Sequence, residues 1–444
     1  MLDSDYMQIL LKEVRHKTGI PGVVATASCS QASLNTAIGV ASLDTGEPLT
    51  GECRFQLGCI TKLLTSLLAI ELSRAKALDL KAPLAEYITE FQAVPKAQEI
   101  QVQHLASHTS GYQGLNIANP EVGYLYSWKK FADYFSRSPQ LFRPGTVFNY
   151  EHSECVILGE IIRRVTGVPT DELMQQLIFE PLGLTPGRIK SDRSQPQFNV
   201  ADHGLDAPSG HYKRLRTVPY SAFWLPSLSD LTLSTSDLLV LGREMIDATR
   251  SKIGRDAMLE CRRQVAQVPK TVGGHQREQM PLSFGSGCAE YAGQLLGHNG
   301  SARGQTCAFR FSPAHDLVIV VALNVWQPYL RDWIVNHIAD SLRKSEPQSS
   351  DVTHRPNWAF DELKGTYTGC VEGTMLIADR EQNKLTCHVT DRGAAALVIE
   401  VTYEPDGSLA VKSEVPHLSL GFFREEDAGT PCIMLAMNAF KKVA

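Results

Sequence analysis

Apolar residues recur at intervals of three and four in some stretches of this chain and alternate with polar residues in others. Tyr6, Ile9, Leu10 and Val14 predict an amphipathic helix over 5–18. The segment IPGVVATA from residue 20 reads as a turn and a strand, and TAIGVA from residue 36 as a second strand running into the turn DTGEP. Leu63, Leu64, Leu67, Leu68, Ile70 and Leu72 have the density of a buried helix. Residues 85–250 are helical and loop-rich. Within them VILGEIIRRV, from residue 156, keeps a helical period and stops at Thr166 and Gly167. Strands return over 293–298, 306–311 and 317–323, and a helix over 330–342 closes this part. Residues 344–356 are polar and proline-bearing, which predicts a linker. Beyond it, short alternating strands over 365–371, 374–378, 384–389, 397–403 and 409–412 predict a small antiparallel β module, with a turn at EPDG from residue 404. The expected organisation is a domain over 1–345, a linker over 346–357 and a β domain over 358–444.

Composition narrows the classes. The 444 residues are 43% hydrophobic and 20% charged, ordinary for a globular protein, and the net charge is −5. That balance argues against nucleic-acid binding and against a polybasic membrane anchor. No apolar run is long enough for a transmembrane helix. The N-terminus has acids where a secretory leader needs bases. Its ten cysteines are scattered without a CxxC pair, so reduced thiols and a cytoplasmic location are expected. No His/Cys/Asp set has metal-ligand spacing.

The candidate chemistry lies at Cys59 and Lys62. A thiol three positions before a lysine, at the start of the buried helix, has two reasons to ionise: the positive end of the helix dipole and a nearby ammonium. The thiolate is the nucleophilic form, which points to covalent catalysis.

Five short strings stand in order along the chain: FQLGCITK, ending at Lys62; VQHLASHTSG, ending at Gly111; Tyr150 and His152 before a helix; FEPLG, ending at Gly183; and His298-Asn299-Gly300. By these the chain resembles the serine β-lactamase and penicillin-binding-protein superfamily, in particular its class C-like esterases, D-aminopeptidases and acyltransferases. FQLGCITK, ending at Lys62, resembles F-x-x-G-S-x-T-K, and VQHLASHTSG, ending at Gly111, resembles the segment that follows it in the family. Tyr150 and His152 stand where the family has Y-x-N. FEPLG, ending at Gly183, and His298-Asn299-Gly300 match two further motifs, the second being the H-x-G version of the K-T-G strand. The resemblance implies an α+β, β-lactamase/transpeptidase-like fold: an antiparallel sheet flanked by helices plus a helical lobe, followed by a C-terminal antiparallel barrel of lipocalin-like kind. It also implies roles. Cys59 takes the nucleophile position, Lys62 and Tyr150 handle the proton, and His298 adds a donor or positive potential. The backbone N–H groups of Cys59 and Ser301 form the oxyanion hole. His152, Asn299, Gly300, Tyr124 and Trp224 are expected to meet substrate. No cofactor is implied.

Two positions depart from the pattern: Cys59 replaces serine and His152 replaces asparagine. A thiol nucleophile forms a thioester, and exchange between thioesters is nearly isoenergetic. The expected activity is therefore transfer of an acyl group from a carrier-protein or coenzyme A thioester, through Cys59, to an amine, alcohol or carbon nucleophile in specialised-metabolite biosynthesis. The rivals are a hydrolase working through the same thioester and a non-catalytic binding protein. The expected partners are a small acyl substrate and an acyl or peptidyl carrier protein.

Overall fold

In the computed structural model the described residues are 3–92, 96–114, 127–184, 186–188, 200–206, 209–215, 231–247, 253–268, 271–272, 281–302, 304–342, 360–369, 374–381, 384–391, 394–403, 409–413, 420–424, 431–435 and 438–443. The chain forms two compact units. One gathers Met1–Leu78, Leu158–Arg263 and Ser286–Glu346; the other gathers Asp79–Ile157, Gln264–Gly285 and Pro347–Ala444.

The first unit is built on an antiparallel sheet. Its strands are β1 (Gly22–Cys29), β2 (Ala32–Gly39), β3 (Ala289–Tyr291), β4 (Leu295–Ala302), β5 (Gln305–Ser312) and β6 (Leu317–Leu323), in the order β2-β1-β6-β5-β4-β3. Every residue of β5 and β6 is buried, whereas the edge strand β2 is exposed or half-buried throughout. Helices α1 (Ser4–Thr18), α2 (Ile60–Arg74), α3 (Ser153–Thr166), α4 (Thr235–Ile246) and α5 (Pro328–Leu342) follow in chain order. All of α1 and α2 and α3 from Leu158 onward belong to this unit, as do α4 and α5. Helix α1 starts at Asp3, whose carboxylate accepts from the N–H groups of Asp5 and Tyr6, and stops at Gly19 with φ +69°. It buries Met7, Leu10, Leu11 and Val14, whereas Ile9, expected on the apolar face, is exposed. Phe309 meets α4 near Gly242, and its neighbour Arg310 pairs with Asp332 on α5, so the two helices cover opposite faces.

The second unit holds residues 79–157 together with a β module. Its strands are β7 (Gly365–Gly369), β8 (Thr374–Glu381), β9 (Lys384–Asp391), β10 (Ala394–Tyr403), β11 (Leu409–Ser413), β12 (Leu420–Arg424), β13 (Pro431–Leu435) and β14 (Asn438–Lys442). The order is β11-β10-β9-β8-β7-β14-β13-β12, and the short strand Thr271–Val272 extends it beyond β12. Alternate residues form the core: Leu376 and Ala378, Leu385 and Cys387, Ile399 and Val401, with Tyr367 and Phe440. Among the described residues the hydrogen-bonded ladder runs from β11 at one end to Thr271–Val272 at the other. The expected linker, 346–357, lies outside the described residues.

Candidate active site

Cys59 is the N-cap residue of α2, with helical backbone angles (φ −67°, ψ −10°), and is half-buried. The turn that delivers it is tight. The carbonyls of Leu57, Gly58 and Cys59 accept from the N–H groups of Ile60, Thr61 and Lys62 at 3.2, 3.1 and 3.0 Å. Gly58 has φ +51°, and a Cβ there would lie 2.5 Å from the Ser301 carbonyl oxygen and 2.7 Å from its nitrogen. A Cβ on Gly300 would lie 1.9 Å from the Leu57 carbonyl oxygen. The two glycines therefore let the turn before Cys59 rest directly on the backbone of β4. Lys62, on the first turn of α2, is buried, only 2% exposed. Gly287, with φ +74°, backs onto Leu63 and Ser66 of the same helix.

Strand β4 presents alternate residues to opposite faces. His298 and Gly300 share the face that meets the Cys59 turn, two residues or about 7 Å apart along the strand. His298 is buried, and its Nδ1 lies 2.5 Å from the carbonyl oxygen of Asn299. Asn299 faces the other way. Its Oδ1 accepts from Arg310 Nη2 at 2.6 Å, and its amide donates to Asp332 at 3.5 Å. Asn299, expected among the substrate contacts, is half-buried and bonded to this polar network. Arg331 donates to both Asp332 oxygens, at 3.0 and 2.7 Å, and to the Gly300 carbonyl at 3.3 Å. Arg310 sits 3.5 Å above the Tyr291 ring. Burial pulls the Arg310 pKa down; for Arg331 burial acts in the same direction, but Asp332 outweighs it and the net shift is upward. The network thus holds the Gly300–Ser301 peptide by its carbonyl.

Tyr150 and His152 belong to the second unit, in the segment that leads into α3. Their rings meet edge to face, with centroids 5.5 Å apart. The His108 ring lies against Tyr150 at 4.5 Å and against Phe284 at 5.3 Å. His108 Nδ1 is 2.6 Å from Glu154 Oε2, and both side chains are buried. Glu154 Oε1 accepts from the Ser110 N–H at 3.1 Å. Between Tyr150 and His152, Glu151 turns inward and accepts from the Ser153 N–H at 2.6 Å, the Ser153 hydroxyl and the Glu154 N–H at 3.3 Å. It thereby caps α3. A Cβ on Gly114 would fall 1.8 Å from Glu151 Cγ, so only glycine leaves this carboxyl its place. Burial, reinforced by Glu154, pushes Glu151 up to about 7, and burial pushes Glu154 well above the ordinary range.

The structure thus brings Cys59, Lys62, His298, Gly300 and Ser301 into one unit and Tyr150 and His152 into the other. Tyr124 and Trp224 lie outside the described residues. Among the described residues no His/Cys/Asp/Glu group is arranged to hold a metal, and no helix is long and apolar enough to cross a membrane. Sequence reasoning missed the Glu151–Glu154–His108 cluster and the Arg310–Asp332–Arg331 network. One signal for the network was present: Arg310 is a lone charge in the otherwise apolar run TCAFRF.

A beta-lactamase profile matches residues 7–338. The chain belongs to the beta-lactamase family. Penicillin-binding protein 4 of Amycolatopsis lactamdurans is 26% identical over 340 residues, 72% of this chain and 85% of that protein. ML-236A carboxylate methylbutanoyltransferase mlcH of Penicillium citrinum is 28% identical over 212 residues, 41% of this chain and 50% of the transferase. Several further curated relatives are matched over less than two thirds of their own length. Among solved structures, the crystal structure of SurE aligns with a TM-score of 0.77 at 23% identity, covering 99% of this chain and 98% of SurE. At that identity the likeness shows the fold: the β-lactamase/transpeptidase-like sheet and helices expected from the motifs. Relatives named as an esterase and a carboxypeptidase stand beside the transferase, so the family is one of hydrolases and acyltransferases.

Proposed function

We propose that the protein is an acyltransferase that works through a thioester on Cys59. One observation carries the reading: the half-buried thiol heads α2 on a turn that rests on the Gly300–Ser301 backbone, with buried Lys62 on the first turn of the same helix. In the first step Cys59 Sγ bonds to the acyl carbon of a carrier-protein or coenzyme A thioester. The carbonyl oxygen takes up negative charge opposite the N–H groups of Cys59 and Ser301, and the donor thiol leaves with the proton that Tyr150 and Lys62 took from Cys59. In the second step an amine, alcohol or carbon nucleophile attacks the thioester, surrenders a proton to the same pair, and frees Cys59. His298 supplies positive potential beside the acyl oxygen, and His152, Tyr124 and Trp224 serve the substrate. The setting is cytosolic, and no cofactor takes part. A relative named as a methylbutanoyltransferase supports transfer.

Hydrolysis differs only in the acceptor, so one experiment separates the two. The protein is incubated with a panel of acyl thioesters, and its intact mass is followed beside that of Cys59→Ala. The expected result is a single acyl adduct, absent from the alanine variant, that an added amine discharges faster than water does. Discharge by water at the full rate would make the protein a hydrolase. The absence of any adduct with thioesters, esters or β-lactams would overturn both enzyme readings.

A further inference from the structure

The Glu151–Glu154–His108 cluster has no part in the two steps above, yet all three of its side chains are buried. Two groups converge on His108 Nδ1. The Glu151 N–H points at His108 Nδ1 from 3.3 Å, so that nitrogen acts as an acceptor. Glu154 Oε2 approaches the same nitrogen to 2.6 Å, and a carboxylate so close to a lone pair would repel it. Glu154 therefore donates as a neutral acid, and His108 carries its proton on Nε2. Burial favours that form of Glu154. The other Glu154 oxygen is anchored by the Ser110 N–H, so the acid cannot rotate away without losing a second bond. The imidazole held in this way is one wall of an aromatic box: it meets Phe148 edge-on at 6.2 Å and Phe284 at 5.3 Å, and it lies on Tyr150 at 4.5 Å.

We infer that Glu154, acting through His108, is the positioning residue for the Tyr150 ring, and hence for the hydroxyl that serves Cys59. The inference rests on the acyl-transfer reading for its consequence and on the Glu154–His108–Tyr150 contacts for its substance. A carboxyl that works as a neutral donor has an exact functional mimic in glutamine, whose amide N–H replaces the acid proton and whose oxygen still accepts from Ser110. A carboxyl that works by its charge has no such mimic.

Glu154→Ala, Glu154→Asp and Glu154→Gln are compared by two readouts. One is the rate of Cys59 acylation by a p-nitrophenyl ester. The other is the ¹⁹F resonance of Tyr150 in protein grown on 3-fluorotyrosine, assigned by its loss in Tyr150→Phe. The expected result is that Glu154→Ala shifts or broadens that resonance and slows acylation about 10- to 100-fold, the scale of a misplaced catalytic group. Glu154→Gln restores both to within about threefold of the parent. Glu154→Asp, one methylene short of His108, carries the same comparison should the alanine variant fail to fold. A glutamine variant as impaired as the alanine or aspartate one would overturn the inference, as would a resonance that no substitution moves. Should the parent acylate with no ester, the acyl-transfer reading falls, and the ¹⁹F comparison alone decides the role of Glu154.

Discussion

Gly300 decides more than its size suggests. It brings the Leu57 carbonyl and β4 into contact, and its own carbonyl is fixed by Arg331 on the far face. Gly300→Ala places a methyl 1.9 Å from backbone oxygen, which no rotamer relieves. The turn bearing Cys59 must then move. The expected cost is about 1–3 kcal/mol of stability, with loss of Cys59 acylation beyond what that destabilisation explains. Gly46→Ala is the control. It has φ +69° but nothing within 4 Å, so it costs roughly 1 kcal/mol for backbone strain and leaves acylation unchanged. Thermal unfolding and burst acylation measured on both variants check this. Equal acylation in the two would mean that the close approach of Gly300 to Leu57 does not position Cys59.

Helix α3 shows how an element can be legible while its starting device is not. Its apolar period and its stop at Gly167 stand in the sequence, because both are local. The cap at Glu151 does not, because a carboxylate before a helix reads as an exposed dipole partner until Gly114, remote in sequence, is seen to cover it. Burial sets the sign of the consequence. The Glu151 pKa rises from 4.5 in the unfolded chain to about 7 in the fold, so the neutral form is the favoured one. Its contribution to stability is complete below about pH 4.5 and is lost as pH rises through about 7. The full swing is on the order of 3 kcal/mol. Glu154, displaced in the same direction, adds to it. Urea unfolding midpoints are therefore expected to fall between pH 5 and pH 8, and Glu151→Gln to flatten that slope. A slope unchanged in the variant would remove Glu151 from the account. Helix α1 teaches the same lesson: Tyr6, Ile9, Leu10 and Val14 located the helix, but its buried stripe runs through Met7 and Leu11, which only the sheet beneath selects.

At the scale of the whole molecule, sequence order is a poor guide to which segments share a unit. The motifs around Cys59, Tyr150 and His298 were legible because each is a short string. The partnership of residues 79–157 with the C-terminal β module was not, since it rests on single side chains far apart in the chain. Gln113 donates to the Gly369 carbonyl on β7 at 2.7 Å. Lys441 on β14 donates to the Leu141 carbonyl at 2.7 Å and lies over the Phe142 ring. Gln140 joins the two places, donating to the carbonyls of Ser110 and Phe142. Ser110 in turn anchors Glu154, so the β module is linked through four residues to the box around Tyr150. A module tied in this way should open together with the segment it holds. Amide hydrogen exchange read by mass spectrometry is expected to show 108–113 and 365–369 losing protection at one common free energy. In Gln113→Ala both should lose protection to the same extent, by about 1–3 kcal/mol, the cost of leaving the buried Gly369 carbonyl without its donor. Exchange of 365–369 at its own, lower free energy, with 108–113 unaffected by Gln113→Ala, would show that the β module is an independent appendage and has no hold on Tyr150.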